Sequence, residues 1–168
     1  MKKLLLLSFF VLPFISFSQG NVKNNKINWI PLEKAKEYAS KYNQDILIFF
    51  YKKDCPYCEK MKKEALSDVQ VINLINNNFL PVKIDSRTKD TIIYNGVSYG
   101  NQQAESSGRY DWRHDFYAEV ASFSRNNTEQ STTPSIVLFN NKFEKIKNFP
   151  GLQPKQLLLR NLKPYVLK

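Results

Sequence analysis

Glycine, cysteine and histidine are all scarce in this chain, which has five, two and one of them among 168 residues. Five glycines, none of them in a phosphate-cradling loop, argue against nucleotide binding. Two cysteines exclude a disulfide-rich scaffold. They also lack the second pair that a four-ligand zinc site requires. The lone His114 offers a base to a cysteine nucleophile only if the fold carries it there, and a Cys–His hydrolase has no need of a second cysteine. Beyond residue 15 no apolar run is long enough to cross a bilayer. Acidic residues are outnumbered as well: 15 against 25 Lys and Arg, for a net charge of +10. These lysines are scattered rather than massed, so the expectation is a solvated basic surface without a nucleic-acid partner.

What is present begins with MKKLLLLSFFVLPFISFSQG. Two lysines follow Met1, an apolar run extends from Leu4 to Ile15, and small or polar residues follow around Ser16 and Ser18. This pattern reads as a secretory signal over residues 1–18, cleaved near Ser18–Gln19. The run is short for a membrane span and Pro13 interrupts it, so stable membrane insertion is not expected. No cysteine follows closely enough to carry a lipid. The mature protein is expected in the periplasm or secreted. It would keep about 150 residues, enough for one domain with a real core. Its charge would be +8, two below the +10 of the whole chain once Lys2 and Lys3 are lost.

A polar leader, 19–26, is expected to be flexible, with a single domain over 27–168. INWI reads as a short strand, and LEKAKEYASKYNQ as an amphipathic helix over about 31–43 with Ala35 and Ala39 on its inner stripe. DILIFFY at 45–51 is a continuous apolar run of strand length, as expected for a strand covered on both faces. A helix follows KKDCPYC, with Met61, Ala65 and Leu66 inward. Ser67 and Asp68 break it and cap a second helix running to about Phe79. FLPVKID at 79–85 is the next strand. This alternation signals an α/β domain with crossover connections.

From Ser86 to Thr132 the chain is polar. Within it, Asn95–Gly96 between two β-rich runs marks a hairpin. DWRHDFYAEVASFSR reads as a helix over about 111–125, with Trp112, Phe116, Val120 and Phe123 on one side. RNNTEQSTT reads as a loop containing a glycosylation-type sequon. SIVLFN is then a strand, FEKIKNF its half-buried antiparallel partner, and PKQLLLRNLKPYV a terminal helix.

Both cysteines lie in Cys55-Pro56-Tyr57-Cys58, where the buried strand gives way to a helix. Free N–H groups and the positive end of the helix dipole favour a thiolate on Cys55, which would be the nucleophile. Pro56 suits the first helical turn, where its missing N–H costs nothing. Cys58, one turn on and more buried, would attack the mixed disulfide. A bridge across so short a loop removes little chain entropy, so a purely stabilising role is a poor use of the spacing.

These elements, the apolar strand into the CxxC, the following helix, the PVKID strand and TTPSIVLFN with its hairpin and last helix, resemble the thioredoxin-like superfamily over about 27–166. The pattern is similar to secreted bacterial thioredoxin-like thiol–disulfide oxidoreductases. The resemblance implies a three-layer α/β/α sandwich with a central mixed sheet, here with an inserted segment at about 86–110. It also implies a cis proline, Pro134, facing the CxxC, with the Thr133 backbone pairing with substrate and Pro56 and Tyr57 on the same substrate-facing surface. Two departures stand out. A buried acid six residues before the first cysteine is replaced by Phe49, and Lys53 and Asp54 replace an aromatic approach. Proton transfer at Cys58 would then fall to water, Thr133, or Glu59 folding back.

The implied function is disulfide exchange with protein thiols, supplied by an upstream redox partner, in a monomer with no cofactor beyond the Cys55–Cys58 disulfide. A reductive direction is the working expectation; direction follows from a potential that sequence does not supply. Two other classes remain. Cys55, Cys58 and Met61 are soft ligands suited to Cu(I) delivery, although Met61 also fits core packing. A non-catalytic binding module would use Tyr94, Tyr99, Tyr110 and Trp112 as a partner surface, unless they pack the hairpin.

Overall fold

A computed structural model describes residues 25–101 and 112–166. The signal segment, most of the leader, Tyr110 and the end of the 86–110 insertion lie outside the described residues. Helix α1, Leu32–Tyr42, leads to strand β1, Asp45–Tyr51. Helices α2, Pro56–Glu64, and α3, Val69–Asn78, follow, and then strand β2, Phe79–Asp85. A small hairpin, β3 at Ile92–Tyr94 and β4 at Val97–Tyr99, precedes helix α4, Asp115–Ala121. A second hairpin pairs β5, Phe123–Arg125, with β6, Thr128–Gln130. Strands β7, Ser135–Phe139, and β8, Lys145–Pro150, and helix α5, Lys155–Leu162, complete the order, with a final 3₁₀ turn at Lys163–Tyr165.

The central sheet is mixed, in the order β2-β1-β7-β8. β1 runs parallel to β2 and antiparallel to β7, and β7 runs antiparallel to β8. The apolar run of β1 therefore sits inside the sheet. Its side chains alternate between two cores, as the period of two requires. Ile46, Ile48 and Phe50 face α1 and α4, while Leu47 and Phe49 face α2, α3 and α5. The result is the expected α/β/α layering, with every residue from Ile46 to Phe50 buried.

The helix boundaries follow from local chemistry. Pro31 occupies the N-cap of α1, and Asn43, in the left-handed region at φ 52°, ends it. Asp68 caps α3 by accepting from the N–H groups of Gln70 and Val71, which is the break expected between α2 and α3. Asn95 and Gly96, at φ 50° and 75°, make the tight turn of the β3–β4 hairpin.

Three expectations need correction. INWI is not a strand: Ile30 donates to the Pro81 carbonyl at 2.9 Å, but no ladder forms. Asn76 holds its start, bonding the Lys26 carbonyl and the Asn28 N–H, each at 3.0 Å. The helix read over 111–125 is confined to Asp115–Ala121. The His114 ring accepts from the Phe116 N–H at 3.1 Å and so caps the helix there, and Ser122 leaves it in an extended conformation. The loop read over RNNTEQSTT is instead the β5–β6 hairpin, turning on Asn126 and Asn127 at φ 51° and 57°.

Candidate active site

Cys55 sits between β1 and α2 because its neighbours specify opposite conformations. Asp54 takes a left-handed φ of 55°, Cys55 is extended, and Pro56 opens the helix with its pre-set φ. Cys55 is thereby the N-cap of α2, and its Sγ accepts from the Cys58 N–H at 3.1 Å. The two sulfurs form a disulfide with the Cα atoms 5.2 Å apart. Cys55 keeps 3% of its surface exposed and Cys58 none, so both are buried and Cys55 is the nearer of the two to solvent. Pro56 and Tyr57 stand exposed beside it, Tyr57 at 64%.

The facing wall comes from the approach to β7. The Thr133–Pro134 peptide is cis. The Thr133 carbonyl oxygen lies 3.8 Å from Cys55 Sγ, within reach of an S–H donor. Pro134 is buried and Thr133 half-buried. Neighbouring groups hold this segment from both sides. The Gly151 N–H donates to the Pro134 carbonyl at 2.9 Å, and Ser135 Oγ donates to Asn148 Oδ1 at 2.8 Å. Arg113 bonds both the carbonyl and the hydroxyl of Ser131, and its guanidinium lies over the Tyr117 ring, 5.8 Å from the centroid. Burial pushes the Tyr117 hydroxyl up to about 12, against the opposing charge of Arg113. Sequence reasoning passed over Arg113, Gly151 and Asn148, and only Gly151, after a proline at a strand end, carried a local signal.

The other residues singled out in the sequence are placed as follows. Phe49, at the position of the missing acid, is 1% exposed and packs between Trp29 and Tyr51, each ring 6.0 Å away. Glu59 does not fold back: its carboxylate pairs with Lys62 at 2.7 Å. Met61 is fully buried among the residues that pack against Phe49 and Leu47. Both His114 nitrogens are engaged, one by the Phe116 N–H and the other by the Asp90 carbonyl at 2.9 Å. The ring is 1% exposed, so it serves a helix cap and not a thiol. Tyr94 and Tyr99 pack against Phe116, and Trp112 stays 45% exposed. Among the described residues no group of three or more His, Cys, Asp or Glu is placed to hold a metal ion. Among the same residues no helix is long and apolar enough to cross a membrane.

A disulfide at the start of a helix, fed by a buried strand and faced by a cis proline just before the neighbouring strand, defines a CxxC protein of the thioredoxin fold. The chain belongs to the family of thioredoxin-like domains, whose family model matches residues 32–165. Its fold is similar to that of a thioredoxin from Thermus thermophilus, with a TM-score of 0.56 at 20% identity over 85% of this chain and 89% of that one. It is also similar to a DsbH oxidoreductase, with a TM-score of 0.57 at 14% identity over 88% and 90%. A disulphide isomerase from Xylella fastidiosa Temecula1 gives 0.51 at 18% identity over 79% and 86%. Among curated proteins, spermatogenesis-associated protein 20 of Rattus norvegicus is 27% identical over 86 residues, which are 51% of this chain and 11% of that protein. Anterior gradient protein 3 of Mus musculus is 26% identical over 65 residues, 38% of this chain and 39% of that one. The chain thus matches about a tenth of the length of the first of these curated relatives.

Proposed function

We propose that this protein is an exported thiol–disulfide oxidoreductase that reduces disulfides in envelope or secreted proteins through Cys55 and Cys58. The observation that carries the reading is the Cys58 N–H aimed at Cys55 Sγ from the first turn of α2. An amide donor and the helix dipole together stabilise a sulfur anion on Cys55. Membership of the thioredoxin-like family supports the same reading.

Exchange proceeds in two displacements. The Cys55 thiolate attacks one sulfur of a substrate disulfide, that S–S bond breaks, and the departing substrate thiolate takes a proton from water. Cys58 then gives up its proton and attacks Cys55 Sγ, releasing the second substrate thiol and closing the Cys55–Cys58 bond. Two electrons have passed from the dithiol to the substrate, and an external dithiol donor must restore them. With Phe49 apolar and Glu59 tied to Lys62, the Cys58 proton is left to water or to Thr133. The exposed Pro56 and Tyr57 and the half-buried Thr133 receive the substrate chain. Export rests on the lysine-led apolar run at residues 1–18.

Insulin reduction by the protein with a dithiol donor tests the activity, and Cys55→Ser should abolish it. Cys58→Ser should accumulate mixed disulfides with its substrates. Full dithiol-dependent turnover by Cys55→Ser would overturn the reading.

A further inference from the structure

A cavity of about 450 Å³ opens beside β1 and β2, on the sheet face that packs against α2, and the exchange chemistry makes no use of it. Ile27, Trp29, Phe49 and Leu66 give it an apolar lining. The lining is built in place. Asn76 and Pro81 pin the 26–30 segment at both ends, and Trp29 rests against Phe49 at 6.0 Å. Lys83 is the register partner of Phe49 across β1 and β2, so the two side chains emerge on the same face.

Three cations border this apolar space: Lys26, Lys62 and Lys83. Among the described residues that line it there is no carboxylate. Lys62 is partly neutralised by Glu59 at 2.7 Å and lies over the Tyr51 ring at 4.8 Å. Lys26 and Lys83 have no carboxylate partner among the described residues. Small-molecule sites are mostly apolar hollows with a few placed polar groups, whereas a polyanion needs an extended basic track. The geometry points to this cavity as a binding site for a small amphipathic carboxylate. Its apolar body would lie against Trp29 and Phe49, and its charge would be met by Lys83 and Lys26.

The test uses the full chain carrying Trp112→Phe, which leaves Trp29 as the sole reporter of the chain's two tryptophans. Decanoate and decanol are titrated below the concentrations at which they self-associate, and Trp29 emission is followed. The expected result is a saturable change with decanoate binding roughly tenfold tighter than decanol, the worth of a hydrogen bond to a charged group. Lys83→Glu should erase that preference while leaving decanol binding unchanged, and Lys83→Arg should keep it. Lys26→Glu gives a second charge reversal at an exposed site, and circular dichroism confirms that each variant is folded. Equal affinity for decanol and decanoate, a preference untouched by both reversals, or no saturable Trp29 response would each overturn the assignment.

Discussion

The Cys58 backbone N–H donates to Cys55 Sγ at 3.1 Å, so the first turn of α2 is capped by a sulfur. Ser, Thr, Asp or Asn ordinarily fills such a cap through oxygen. A sulfur accepts best as an anion, and the donor that orients it belongs to the backbone of the partner cysteine. Chemistry and helix initiation therefore share one contact. The Thr133 carbonyl, 3.8 Å away on the other side, offers an acceptor only to a protonated sulfur. The two partners thus favour opposite protonation states of Cys55, one on the helix side and one on the substrate side.

Gly151 sets the far edge of this site. Its φ of 78° lies where L side chains are strained, while a Cβ there would come no nearer than 4.0 Å to Thr132 Cγ2. The space is adequate and the backbone is not. Gly151→Ala should cost about 1–2 kcal/mol from its left-handed conformation alone, read as a lower urea midpoint with an unchanged m-value. A neutral result would mean that the chain relaxes out of this turn freely.

One aromatic side chain of α4 packs against both tyrosines of the insertion hairpin. Phe116 is fully buried and meets Phe50, Tyr94, Tyr99, Phe139 and Phe143 with ring centroids 5.4 to 6.1 Å apart. Truncation to alanine removes its ring contacts with the hairpin and the sheet, leaving Tyr94 of the hairpin against Phe139 and Phe143. Phe116→Ala should destabilise the domain by about 3–5 kcal/mol, measured by chemical denaturation. Hydrogen exchange should show amides of β3 and β4 losing protection ahead of those in β1.

Asp68 gives the fold an acid-sensitive joint. A hydrogen bond from Lys155, 2.8 Å away on α5, is the main cause that holds its carboxyl below the ordinary value of 3.8, with the Gln70 and Val71 amides adding to it. A group with a depressed folded value binds its proton more readily when unfolded. Its contribution is therefore complete above the ordinary carboxylate value and is lost as the pH falls through the lowered one. Wild type should lose more stability than Asp68→Asn over that acid window. Parallel acid-denaturation curves for the two proteins would count against the linkage.

Local chemistry made much of this architecture readable in advance. The unbroken apolar run of β1, the Asp68 cap and the Asn95–Gly96 turn each carry their instruction within a few residues. The junction of β1, Cys55 and Pro56 does the same for the reactive pair. What escaped depends on distant partners. INWI has strand-forming residues, but its backbone bonds go to Pro81, to the Asn76 side chain and, from Trp29, back to Ile27, so no ladder forms. The start of α4 is set by a histidine ring acting as a cap, which helical periodicity does not reveal. Asn126–Asn127 did carry a turn signal, since both residues tolerate the left-handed region, but the polar strands around it have no apolar alternation to flag them. The facing wall of the site draws on Arg113, just before α4, and on Asn148 and Gly151 at the end of β8, two parts of the chain far apart in sequence.

The account rests on Cys55 ionising more readily than an ordinary thiol because a helix starts at its sulfur. The most direct measurement is the rate of iodoacetamide alkylation of the fully reduced protein as a function of pH, with the modified residue located by mass spectrometry. Alkylation confined to Cys55, with a midpoint well below the ~8.5 of a free cysteine, is the predicted outcome. A midpoint at or above that value, or modification of Cys58 first, would contradict it.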